Sequence, residues 1–535
     1  MSSPAPKSPE QNEKSKKYDR QLRLWGDHGQ KLLENSKVCL INATALGTEI
    51  LKSLILPGIG SFTIVDGEKV SEEDIGSNFF LENDSVGLPR AHVATQCLLE
   101  LNPDVRGDYI DESAEHIISN TQNFFKNFDV VIATAVHEKV LLPLSKHLWE
   151  CDVPLVVCHS IGFLGYIRLQ IKEHTVIEAH PDSESPDLRL DKPWTALKGY
   201  LDSINIEQLD QKEKSHVPPL AILHYYLTKY KNSHNGALPS KRAEKEVLKQ
   251  MIRDSGHSEE GNNRFILEEN FEQALHYANS CVTPRPIPDH VKAILDDDSC
   301  TNLTQNSSSF WIMSAALREL VQAEGELPVK GTLPDMAADT LSYVTLQNIY
   351  RKRAEHHAES VYRRAQQIAR NLGLPQDWVT ESEVKYFCKH ASELHVIRGS
   401  CIANEYQKSN LDLSSYLEDP DCLIFYYIIL RGLERFISEY NVYPGQLDDQ
   451  VEPDLLKLKG IIGKLLNEWG YSHVLRDERV HEVCRYGGAE LHSVSAILGG
   501  CAAQEVIKII THQYKPLNNT FIYDAINTTS ATFCL

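Results

Sequence analysis

The segment Val38-Cys-Leu-Ile-Asn42-Ala-Thr-Ala-Leu-Gly47-Thr-Glu-Ile-Leu constrains the fold of this chain more than any other. An apolar, β-branched run passes through a tight turn into an amphipathic run. A second strand-like run, Ser61-Phe-Thr-Ile-Val-Asp66, follows. Strand, turn, helix and strand, with an acidic residue about 20 positions after the turn, is the layout of a Rossmann-type βαβ unit. Of the glycines such a turn carries, only Gly47 is present. Asn42 stands at the first glycine position, and Ala45 stands where phosphates need bare backbone nearby. The fold is therefore expected without its commonest ligand site.

The chain alternates strand-like and helical patterns from Tyr18 to about Arg168. Strands are predicted at Lys37–Ile41, Ser61–Asp66, Asp129–Thr134 and Pro154–His159. Most are apolar enough to be buried on both faces, which implies α/β architecture with a mainly parallel sheet. From there to about residue 480 helical periods dominate, at Pro218–Tyr230, Ala243–Arg253, Leu346–Leu372 and Cys422–Glu439. In Leu346–Leu372, Leu346, Ile349, Val361, Ala365, Ile368 and Leu372 share one face, while His356 and His357 read as solvated. Polar loops are expected at Ser255–Asn263 and Asp296–Ser309. Glu490–Thr511 then reads as a helix rich in small residues and Thr520–Asp524 as a strand. The economical division is a polar, disordered tail over 1–16, an α/β part over 17–170, a mostly helical insertion over 171–485, and the return of the α/β domain over 486–535.

Composition narrows the function classes. A formal charge of -20 over 535 residues argues against nucleic acid or an anionic membrane as the main partner, since both favour a basic patch. No apolar run approaches ~20 residues, so no membrane span is expected. The twelve cysteines are scattered without a Cys-x-x-Cys pair, so no zinc site is expected. Reduced thiols of a cytoplasmic or nuclear protein fit this pattern, with peripheral membrane association left open. Cys39 and Cys158 lie in apolar runs and read as core residues.

Four stretches in order carry a resemblance: Tyr18-Asp-Arg20-Gln-Leu-Arg-Leu-Trp-Gly26, the strand–turn–helix around Gly47, Ile64-Val-Asp66, and Gly499-Gly-Cys-Ala-Ala-Gln-Glu-Val-Ile-Lys508. Together they resemble the adenylation domain of ubiquitin-like-modifier activating enzymes and their bacterial sulfur-carrier relatives. In that family the domain binds Mg-ATP and adenylates the C-terminal glycine of a modifier. Against the family pattern this chain departs repeatedly. A second Asp is replaced by Glu68, a phosphate-clamping Arg by Ser77, the Lys of Gly-x-x-Lys-Ala by Arg90, and a magnesium-binding Asp by Val136. Adenylyl transfer depends on positioned cations and metal, and losing one such group costs about 3 kcal/mol, or roughly two to three decades in rate. The resemblance thus implies a pseudo-adenylation domain that binds no cofactor itself.

Tyr18-Asp-Arg20-Gln is retained. In family dimers this element crosses to the partner, so the resemblance implies that Arg20 contacts the phosphates of partner-bound Mg-ATP. The alternative is that Arg20 only makes surface salt bridges within Tyr18–Trp25. The family's thioester cysteine usually lies in a Cys-Thr pair flanked by prolines. Here the only Cys-Thr is Cys300-Thr301, among aspartates that would raise the thiol pKa. Cys281, in Ser-Cys-Val-Thr-Pro, is a second decoy.

Length and missing features resemble the non-catalytic chains of the neddylation branch. The implied partners are a catalytic subunit, the ubiquitin-like modifier and, through the complex, a conjugating enzyme. Implied partner contacts are Tyr18, Arg20 and Trp25, Gly499 and Gly500 among the small residues of the last helix, and Gly331, Leu333 and Met336 in a Pro/Gly-punctuated loop. Packing inside the domain is the alternative for that helix, and capping of a helical lobe for that loop. Two other classes stay open: a scaffold with no part in the chemistry, and a nicotinamide-dependent oxidoreductase, which Asn42 and Ala45 disfavour.

Overall fold

The computed structural model describes residues 16–121, 123–181, 186–260, 264–279, 282, 284–406, 411–447, 449–472 and 476–535. Of the tail expected over 1–16, residues 1–15 lie outside the described residues, as does Cys281. The described residues of Met1–Val176 and Val396–Leu535 form one compact unit, and those of Ile177–His395 form another.

The first unit is built on an eight-stranded sheet. Its strands are β1 (Lys37–Ile41), β2 (Ser61–Val65), β3 (Arg106–Ile110), β4 (Val130–Thr134), β5 (Leu155–Ile161), β6 (Leu164–Gln170), β7 (Thr520–Asp524) and β8 (Thr529–Phe533). Their spatial order is β8-β7-β6-β5-β4-β1-β2-β3. The strands β3, β2, β1, β4 and β5 run parallel, and β6, β7 and β8 extend the sheet antiparallel. The five predicted strands, Thr520–Asp524 among them, form with their ends shifted by at most two residues. β3, Arg-Gly-Asp-Tyr-Ile, has no apolar run because it is an exposed edge, and β6 is interrupted by the buried Arg168. Strand order reverses between β1 and β4, the place where open α/β sheets take ligands.

Residues alternate across the sheet because successive side chains point to opposite faces. Val38, Leu40, Val130 and Ile132 face one cluster with helices α1 (Asp19–Asn35), α2 (Ala45–Ile55) and α4 (His492–Thr511). Cys39, Ile41, Val131 and Ala133 face a second cluster with α3 (Ile424–Tyr440). Cys39 and Cys158 are fully buried, and burial pushes both thiols up. Helix α1 kinks at Gly26, whose φ is +65°.

Two expectations change here. The helical insertion was placed at 171–485, but its residues from Val396 onward belong to the sheet's unit. The reason is α3: Ile424, Phe425, Tyr427, Ile428, Ile429 and Leu433 are buried around most of its circumference, so it needs a sheet face rather than one neighbouring helix. The expectation of no apolar run near 20 residues is qualified at α4, the one helix among the described residues that is long and apolar enough to cross a membrane by length and composition alone. Its apolar character is accounted for by packing against α2, β5 and β6.

The second unit is mostly helical, with Pro219–Ser233, Arg242–Arg253, Glu269–Tyr277, Ser309–Glu324 and Thr340–Asn371 among its longer helices. Leu220, Leu223, Leu248, Phe271, Leu346 and Tyr350 meet in its core. The expected loop at Ser255–Asn263 instead holds the strand His257–Glu260, paired with Arg264–Leu267. The loop expected at Asp296–Ser309 contains a short helix, Asp298–Thr301, that buries Cys300. In Thr340–Asn371 the residues Leu346, Val361 and Ala365 are buried as the periodicity implies.

His357 departs from its expected solvated face: it is 1% exposed, while His356 is exposed. Its Nδ1 accepts the Val329 N–H at 3.0 Å, so Nε2 carries the proton toward Glu324, 3.2 Å away. Burial, with the Arg353 charge, pushes the imidazole down to about 4 against the pull of Glu324. The unfolded chain takes up this proton near its ordinary value of 6.5 and the folded chain only near 4. The contribution of neutral His357 is complete above pH 6.5 and is lost as pH falls toward 4, at most about 1.4 kcal/mol per pH unit. His357→Leu, which strands the Val329 amide, is expected to cost about 1–3 kcal/mol at pH 7 and to flatten this slope, as read by urea denaturation at pH 7 and pH 5.

Candidate functional site

The turn between β1 and α2 keeps the shape of a nucleotide-binding turn with different side chains. Asn42 adopts φ +65°, the left-handed region where glycine is usual and asparagine is tolerated. Its amide N–H donates to Val65 O at 3.0 Å, and its Nδ2 donates to Thr134 O at 3.0 Å. Thr134 Oγ1 donates to Asn42 O at 2.7 Å. Gly47 is required by contact, since a Cβ there would lie 2.7 Å from Asn42 O and 2.9 Å from Thr134 Oγ1. Thr44 caps α2, its hydroxyl accepting from the Gly47 N–H.

Asp66 lies fully buried at the end of β2. It accepts the Ala43 N–H at 2.8 Å and the Glu68 N–H at 2.9 Å. Arg90 grips it with two donors, Nε at 2.7 Å and Nη2 at 3.2 Å, and reaches Asp74 through Nη1 at 3.1 Å. Burial alone would lower the guanidinium pKa, but the charges of Asp66 and Asp74 outweigh it and hold it above the ordinary arginine value. The acidic residue at the ribose position and the cation at the lysine position are thus tied to each other.

Sequence reasoning missed a third participant. Glu490 comes from the return segment some 445 residues away and places its carboxylate on the first turn of α2. The Ala45 N–H donates to Oε2 at 2.9 Å and the Leu46 N–H to Oε1 at 3.4 Å. These are amides that a helix leaves unpaired at its start, where the helix dipole favours negative charge. Burial pushes the Glu490 carboxyl up, against the pull of the two amides, His159 and Arg90. Nothing local in Gly-Gly-Ala-Glu signals this role, because it depends on which helix end the return segment meets.

The remaining predicted positions scatter by role. Ser77 is half-buried, with Oγ 3.5 Å from Asp74 O, and its own carbonyl accepts from His492 at 3.1 Å. Its neighbour Asn78 ties the turn to α2 through Ala43 O and Thr48. Val136 is 4% exposed and belongs to the apolar cluster under α3, offering no oxygen to a metal. Among the described residues no group of three or more His, Cys, Asp and Glu could hold a metal ion. A Mg-nucleotide does not fit these residues: the α2 amides hold Glu490, Asp66 and Arg90 hold each other, and the metal position is apolar.

The expected partner contacts divide in the same way. Tyr18 is 2% exposed, and its hydroxyl accepts from Asn102 Nδ2 at 3.0 Å. It is thus an anchor inside the domain rather than an exposed contact. Gly499 is likewise enclosed, since a Cβ there would lie 2.8 Å from Glu49 Cβ on α2, whereas Gly500 faces open space. Trp25 is half-buried, with Nε1 donating to Gln30 Oε1 at 3.0 Å. Arg20 is exposed and makes no ion pair among the described residues; the nearby bridge joins Arg23 to Asp19 instead. In the helical unit Gly331 adopts φ +79°, and a Cβ there would lie 2.6 Å from Ala354 Cβ, while Leu333 and Met336 pack half-buried on the core. Cys300 is 2% exposed, and burial, more than the neighbouring aspartates, pushes its thiol up to about 11.

The ThiF family model matches residues 18–535. The chain is 49% identical over 542 residues to the Nedd8-activating enzyme E1 regulatory subunit of Drosophila melanogaster, covering 100% of each chain. It is 46% identical to the NEDD8-activating enzyme E1 regulatory subunit of Danio rerio over 98% of this chain and 99% of that one. With the regulatory subunit AXL of Arabidopsis thaliana the identity is 39%, over 97% and 99%. The chain belongs to the ThiF family, among the NEDD8-activating enzyme E1 regulatory subunits.

As a ThiF-family domain, the first unit has the sheet and the switch point of an adenylation fold, and at that switch point Arg90 is paired with buried Asp66. That arrangement makes Arg90 a structural residue. Arg90→Ala leaves the buried Asp66 charge with amide donors only, and is expected to cost about 3 kcal/mol of stability. The Arg90→Ala/Asp66→Asn pair should cost less than the sum of the single changes, as read from denaturant midpoints.

Proposed function

We propose that this chain is the non-catalytic half of a heterodimer whose catalytic subunit adenylates the C-terminal glycine of the NEDD8-type modifier with Mg-ATP and carries the thioester. This chain completes the partner's ATP site through Arg20, stabilises the partner's fold and helps shape the modifier groove. The thioester then passes to a conjugating enzyme.

The single observation behind this reading is the contrast between Arg20 and the chain's own site. Buried Tyr18 holds the start of α1 to the domain. Two residues on, Arg20 is exposed and makes no ion pair among the described residues. A cation kept exposed and unpaired beside a fixed anchor suits recognition of a phosphate on another molecule. The chain's own switch point is filled by Glu490 and by the Arg90–Asp66 pair. The buried thiol of Cys300, pushed up to about 11, supports assigning the thioester to the partner. The half-buried Trp25, the open side of α4 at Gly500 and the loop bearing Gly331, Leu333 and Met336 are the proposed contact surfaces.

Modifier-dependent ATP–pyrophosphate exchange tests the reading. Exchange is expected to be absent with this chain alone and present when the catalytic subunit is added. Arg20→Ala should lower kcat/KM for exchange about 100-fold while the heterodimer still co-elutes. Full activity in that variant would instead support a scaffold with no part in the chemistry. In the same assay Cys300→Ser should leave thioester formation unchanged, and loss of the thioester would place the chemistry on this chain.

A further inference from the structure

The segment that leads into α4 is held by close backbone-to-ring contacts. Gly162, in the β5–β6 hairpin, adopts φ +53°, and a Cβ there would lie 2.4 Å from the Tyr486 ring. The Gly162 N–H donates to Ala489 O at 2.7 Å, and Gly162 bridges to Glu490. Gly488 adopts φ +89°, and its Cβ would lie 2.5 Å from the Tyr443 ring. Two residues past Glu490, His492 Nδ1 meets Ser77 O at 3.1 Å. Residues 486–492 are therefore fixed on both sides, at positions where only glycine lets backbone and ring approach. The side chain delivered by this clamp is a carboxylate, aimed at the crevice between β1 and β4.

We propose that Glu490 is a built-in anion. Its carboxylate takes the place of a ligand phosphate on the Ala45 and Leu46 amides, and with the Arg90–Asp66 pair it keeps the switch point closed to nucleotides and other anions. The inference rests on the non-catalytic reading of this domain and deepens it: the site is filled by an internal ligand mimic as well as lacking catalytic groups. A helix start that in a binding domain is satisfied by ligand must here be satisfied by the chain, because buried amides without partners are costly. A carboxylate is the natural occupant, matching both the donors and the sign of the helix dipole.

Amide hydrogen exchange on the full chain, with inorganic pyrophosphate as the probe, decides the matter. In the wild type the Ala45 and Leu46 amides should exchange slowly and be unaffected by pyrophosphate. Glu490→Ala should accelerate both by about tenfold or more, the equivalent of one charged hydrogen bond, with β1 amides unchanged. Pyrophosphate should then slow them again. Glu490→Gln keeps the shape and an acceptor without the charge, and should accelerate them less; it serves if the alanine variant does not fold. Unchanged exchange in the variants, or protection of the wild-type amides by pyrophosphate, would overturn the proposal. Neither outcome bears on the Arg20 assay, which reads the partner's site, so the two readings can fail separately.

Discussion

The buried pair of Arg90 and Asp66 is the interaction on which the rest of the site depends. Asp66 has no access to water, and an ionised carboxylate there is tolerable only if its charge and lone pairs are met. Two backbone amides and a two-pronged guanidinium do this. In meeting Asp66 they join four pieces of chain: the turn after β1 through Ala43, the end of β2 through Glu68, the short helix of Asp74, and the helix that Arg90 begins. An arginine with a planar fork can bridge two carboxylates in this way, where a lysine would act as a single point charge.

The same logic extends to the start of α2. The adenylation fold brings a helix N-terminus to the switch point whether or not anything binds there, and its amides need an acceptor. Glu490 supplies one from the far end of the chain. This couples the first and last segments of the sheet's unit, alongside the packing of α4 on α2, where Gly499 lets the two helices approach closely. The start of α2 is thus held by the chain's own side chains.

Polar burial also explains where the sheet's unit ends. On the opposite face, Arg168 of β6 meets Glu405, and Arg431 and Glu434 of α3 meet each other at 2.6 Å. Burial alone would push the Glu434 carboxyl up, but Arg431, His159 and Tyr166 hold it below its ordinary value. Charges this deeply buried hold together only as a matched set, which fixes α3 and the segment before it to the sheet.

Much of the fold was legible in the sequence, because buried parallel strands are apolar throughout and helices show their period. β1, β2, β4 and β5 and most of the helix Thr340–Asn371 could be read from residue types alone. Edge strand β3 and the buried His357 could not, since their residue types match those of exposed segments. Tertiary structure decided what pattern cannot encode, namely which distant side chain fills a given vacancy. The resemblance implied that Asn42, Ser77 and Val136 replace ligand-binding groups; only the folded chain shows that Arg90 turns inward to Asp66 and that Glu490 closes on α2. The physical reason is that a hydrogen bond depends on position to within a few tenths of an ångström, and position across some 445 residues of chain is set by packing.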